Sequence, residues 1–169
     1  MELSNHDAWA VFHGLVAGGV FLLAFAGALA GLWSLSRRLT TPEGVQALLR
    51  RLVVGTWGMA IISWVTVMTG TYVVYPWYRE STPDSARSIL LANPDTALWH
   101  SFAFEWKEHV AFLVPILATA VAFIVTYYGP RLADKPLVRY AAMAMFTLAF
   151  AAATLAAVFG ALVTKNAPV

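Results

Sequence analysis

Cysteine is absent from all 169 residues. That excludes disulfides, iron–sulfur clusters, thiolate metal sites and covalently attached c-type haem. Charge is scarce too: 12% of the residues are Asp, Glu, Lys or Arg, against about 25% in a soluble domain. A formal net charge of +2 is too small to build a phosphate-binding surface, so nucleic acid is not an expected partner. No repeat and no low-complexity tract interrupts the chain, and the apolar runs lack the alternation of a β-barrel. The opening MELSNHDAWA holds two acids and no base, unlike the basic start of a cleavable signal peptide.

What is abundant is apolar: 60% of the residues are hydrophobic. Four runs, at about 9–35, 52–75, 99–128 and 140–163, are each long enough for a bilayer core of about 30 Å, which takes about 20 helical residues. Backbone groups left unpaired in lipid cost too much for any irregular crossing, so the runs must be helices. The expected architecture is all-α, a single domain over 1–169 forming an integral membrane four-helix bundle in contact with lipid. Arg37, Arg38, Arg50 and Arg51 lie between the first two runs, and Arg131, Lys135 and Arg139 between the last two. The long middle connection sets Arg79 and Arg87 against Glu80, Asp84 and Asp95. By the positive-inside rule the basic connections are cytoplasmic and both termini face outwards, in a multi-pass protein of a bacterial-type inner membrane.

Local signals refine this layout. Gly14/Gly18, Gly27/Gly31 and Ala149/Ala153/Ala157 have the small-residue spacing of close helix packing. Pro115 removes a helix hydrogen bond and should kink the third span. The stretch Thr40–Glu43, TTPE, reads as a cap opening a short lead-in helix with Pro at its first position.

All four histidines fall in the outer half: His6 and His13 at the start of span one, His100 and His109 at the start of span three. Ionisable residues inside membrane spans are costly and usually functional. An imidazole facing inwards from each of two spans suits the axial ligation of haem iron. His13, flanked by Ala10, Gly14 and Ala17, leaves room for a flat macrocycle, and His109 is the expected opposite ligand. Met68 is the fallback ligand, and His6 with His100 is a weaker second pair. Arg79 and Arg87 are candidates to hold haem propionates, because guanidinium matches carboxylate geometry. In FEWKEHVAF, Glu105 lies one turn before His109 and can accept its spare N–H, fixing the tautomer. A histidine beside carboxylates is also what quinol oxidation needs as a proton acceptor, with Tyr72, Tyr75 and Trp77 lining the pocket. The competing readings are an ion-pair knot of Glu105, Lys107 and Glu108, with Lys107 snorkelling outwards, and a dinuclear carboxylate–histidine metal site drawing on Asp7 and Glu2.

Four spans with histidines on the first and third resemble the small membrane-bound b-type cytochromes. The resemblance covers the architecture and rests on no diagnostic motif. It implies one haem b, quinone as a possible further ligand, and electron transfer between quinol and a periplasmic redox partner. It also implies a place beside other subunits of a respiratory-type complex, as the membrane electron-transfer subunit of an oxidoreductase. Dihaem members carry histidines towards both sides of the membrane; this chain has none in its inner half. Two alternatives stand beside this reading, a cofactor-free accessory or structural subunit and a small transporter.

Overall fold

The computed structural model describes residues 4–36 and 39–167, and every regular element among them is helical. Arg37, Arg38 and Glu2 lie outside the described residues. Four helices are long and apolar enough to cross a membrane: α1 (Asn5–Ser34), α2 (Pro42–Tyr78), α4 (Trp99–Asp134) and α5 (Pro136–Asn166). A short helix, α3 (Ala86–Ala92), lies in the long middle connection. The four spans form a closed ring in which α1 touches α2 and α5, α2 touches α4, and α4 touches α5. Spans one and three therefore stand on the diagonal, and both termini lie at one end of the bundle.

Each boundary has a local cause. Ser4 and Asp7 form a reciprocal capping box at the start of α1, with Ser4 Oγ accepting from the Asp7 amide at 3.1 Å. Thr41 caps α2, its hydroxyl accepting from the Gly44 amide at 3.2 Å, and Pro42 occupies the first turn. The expected lead-in is thus continuous with span two, which starts ten residues before the apolar run and carries Arg50 and Arg51 on its first turns. Pro115 does interrupt span three. Its ring cannot tolerate the carbonyl four residues back, so helical hydrogen bonding stops at Val110 and resumes at Leu113.

The larger apolar core extends into the half remote from the termini. Leu32, Leu49, Leu52, Val121, Val125 and Phe146 are buried in one apolar core. Gly31 permits a close approach between spans one and two, since a Cβ there would sit 2.8 Å from Leu52 Cδ2, whereas Gly14 and Gly27 face open space. On α5 the buried stripe is Ala142, Phe146, Ala149 and Ala152, and Ala157 is exposed, so the inward face runs offset from the expected alanine spacing. Two indole N–H groups lock spans two and three in register. Trp57 donates to Thr126 Oγ1 at 3.0 Å and Trp64 to Thr119 Oγ1 at 3.1 Å. Both pairs are seven residues apart, two helical turns on each antiparallel partner.

Candidate functional site

Three of the four spans depart from α-geometry near the end that holds the termini. Phe12–Gly18, Gly70–Val74 and Trp99–Phe104 are π-helical. Such turns account for well under about 1% of residues in proteins and recur at functional sites. All four histidines, and most of the intramembrane charge, lie in or beside these segments.

His13 is half-buried and turns towards span two. Its Nδ1 lies 2.8 Å from the Thr66 carbonyl and 3.3 Å from Thr69 Oγ1. A carbonyl only accepts, so Nδ1 carries the proton and Nε2 keeps a free lone pair. Among the described residues Nε2 has no hydrogen-bond partner. The ring lies close against Gly70, where a Cβ would come within 2.7 Å of Cε1. Here the lack of a side chain is required by close approach rather than by backbone conformation.

Lys107 lies opposite. Its Nζ rests on span four, 2.9 Å from where a Cβ would stand on Gly160, and 5.8 Å from the Phe104 ring centre. Neither Glu105 nor Glu108 bonds it, because both carboxylates are taken by Arg79, at 2.6 Å and 2.9 Å from Nη2. The expected knot of Glu105, Lys107 and Glu108 is therefore replaced by a triad in which Arg79 is the cation. Lys107 faces inwards and has no counter-ion among the described residues.

Successive residues on an α-helix are about 100° apart, so Lys107 and His109 point in nearly opposite directions. Lys107 holds the inward position, and His109 is exposed on the outside of the bundle. Its Nδ1 donates to the backbone carbonyl of Glu105 at 2.7 Å, not to the Glu105 carboxylate. His13 and His109 thus do not face one another across the interior, and a haem between these two rings of one chain does not fit. Met68 is exposed on span two. His6 is exposed against Trp77, with ring centres 5.4 Å apart.

A second polar cluster covers the first. His100 is buried, its Nδ1 2.9 Å from the Tyr78 hydroxyl and its Nε2 3.8 Å from Glu105 Oε1. Tyr78 stacks on Phe104 at 3.5 Å, and Leu90 of α3 packs beside them. Among the described residues Arg87 on α3 makes no side-chain hydrogen bond, and its Nε is buried without a partner there. Arg79 Nε is likewise buried and unpaired. No group of three His, Asp or Glu among the described residues is placed to hold a metal ion, which leaves Asp7 outside any such cluster.

The small residues round His13 marked it from sequence as an inward ring. Lys107, Thr66, Gly70 and Tyr78 carried no such mark. The spacing 105-107-108-109 held the signal for Lys107, since only one face of that turn can point inwards. The chain matches no family model, no curated protein and no solved structure.

Proposed function

We propose that this is the membrane subunit of an oxidoreductase that takes protons from a quinol near the terminus-bearing, outward end of the bundle. The observation that carries the reading is the pair of His13 Nε2, a fixed and unoccupied acceptor, and Lys107, an unneutralised cation inside the same half of the bundle. A hydroquinone hydroxyl donates to Nε2, and the ammonium of Lys107 stabilises the oxygen anion left behind. The second proton passes towards Glu105 and Glu108. Both electrons leave to a redox centre held by a partner subunit, and the quinone is released. Histidine is one-sided in this fold: all four lie in the terminus-bearing half, and in the opposite half the buried cation, Arg139, is bonded to backbone carbonyls. That asymmetry supports a site open to one side over a transport route through the membrane.

The test is tryptophan fluorescence of purified protein titrated with short-chain ubiquinone and menaquinone analogues. Saturable quenching is expected in the wild type and in His6→Ala, and at least tenfold weaker binding in His13→Ala. Linear, unsaturable quenching shared by wild type and His13→Ala rejects the site.

For haem b the geometry favours a different place from the one expected. His109 has its Nδ1 proton fixed by Glu105 O and offers Nε2 outside the bundle, so a second axial ligand there comes from another chain. Reduced-minus-oxidised spectra of the intact complex should lose the b-type band in His109→Ala and keep it in His13→Ala. The reverse pattern overturns this placement.

A further inference from the structure

At the end remote from the termini, a cavity of about 440 Å³ opens between the last turn of α1 and the start of α5. Its lining includes Trp33, Leu39, Tyr140 and Arg139, together with Ser36 and Asp134, which have partners of their own. Arg139 is 6% exposed, so nearly all of its guanidinium is removed from water. Nη1 donates to the Leu35 carbonyl at 2.7 Å and to the Ala133 carbonyl at 3.4 Å. Nε is buried with no partner, and Nη2 makes no hydrogen bond among the described residues. A guanidinium presents five donors in a rigid fork, and leaving some unpaired in a buried site is costly. The edge of that fork that the carbonyls leave free borders a cavity large enough for a headgroup.

We infer that this cavity binds the phosphate of an acidic phospholipid, with Arg139 as the residue that recognises it. Nη2, the terminal nitrogen that the carbonyls leave free, would donate to a phosphate oxygen. The walls decide between a lipid and a free ion. Trp33 is 56% exposed and Tyr140 49%, at the ends of membrane helices where amphipathic rings lie at headgroup level. Leu39, exposed beside them, offers apolar surface to the glycerol and upper acyl region. Basic pockets between spans commonly take anionic headgroups in this way. The outward quinol site is at the opposite end of the bundle, so the two proposals stand or fall separately.

The experiment uses the whole chain, delipidated in an uncharged detergent and melted with dioleoyl phosphatidylglycerol, dioleoyl phosphatidylcholine or inorganic phosphate. At ten times the dissociation constant, phosphatidylglycerol should raise the midpoint by about 3–5 °C. Phosphatidylcholine should give less than half of that shift, and inorganic phosphate none. Arg139→Lys should lose the increment. Because Arg139 also holds two carbonyls, that variant can fail to assemble, and Trp33→Ala is the second arm. It should keep the lipid-free midpoint and lose at least half the increment. An unchanged increment in either folded variant, or equal shifts with the two lipids, overturns the proposal. Inorganic phosphate alone reproducing the full shift would make this a free-anion site and overturn the lipid assignment.

Discussion

Lys107→Met is expected to make the protein more stable and less able to bind a quinone. Methionine fills much the same volume as the lysine stem, so packing against Phe104 and Gly160 survives. What disappears is an ammonium held away from water with no carboxylate bonded to it, since Arg79 occupies Glu105 and Glu108. A lysine at mid-bilayer costs about 3 kcal/mol on insertion scales. Lys107 lies nearer the end of its span, so a gain of about 1–2 kcal/mol is expected, seen as a midpoint higher by about 3–6 °C. Affinity for the quinone analogue should fall at least tenfold in the same variant. Opposite signs in the two measurements are the signature of a charge kept for function. A variant that melts earlier, with binding intact, would show that Lys107 is an ordinary structural residue.

Arg79→Met should have the largest cost to stability. The guanidinium bridges two carboxylates that lie three residues apart on one helix, and its central carbon lies over the Tyr75 ring, 5.1 Å from its centre. Without it, Glu105 and Glu108 repel one another and nothing bonded to them offsets the charge. Breaking a fully buried pair costs about 3–5 kcal/mol, whereas exposed pairs are worth about 0–1 kcal/mol. These side chains retain 30%, 36% and 20% exposure, so a loss of about 2–3 kcal/mol is expected. Adding Glu105→Gln and Glu108→Gln to Arg79→Met should restore most of it. If melting of the triple variant is no better than the sum of the separate losses, the triad is not a coupled unit.

The bundle was legible in the sequence because lipid tolerates so few solutions: four long apolar runs leave only four helices. The Pro115 interruption followed from one missing N–H, and the Thr41 cap from its hydroxyl and the proline after it. The site was legible in part. His13 declared itself through the small residues beside it, but the facing of the EWKEH turn came out reversed. Charged side chains near a membrane edge are ordinarily assigned outwards, and that preference placed Lys107 on the wrong face and His109 in its stead. The π-helical stretch Trp99–Phe104 just before that turn alters its rotation about the helix axis, and no residue pattern in WHSFAF announces it. Arg79 was equally hidden. From sequence it was a loop residue with many possible partners, and only folding brought it to carboxylates 26 and 29 positions away.

The interruption at Ala111 and Phe112 divides span three unequally in chemistry. Before it stand Glu105, Lys107, Glu108 and His109; after it, Leu113–Tyr128 holds no ionisable group except two terminal tyrosines. That second segment, with Leu32, Leu52 and Phe146 packed round it, is an apolar stretch about 24 Å long, most of the thickness of a bilayer core. A proton taken up at the terminus-bearing end of the bundle would therefore meet no relay of carboxylate, amine or imidazole groups along span three beyond that break.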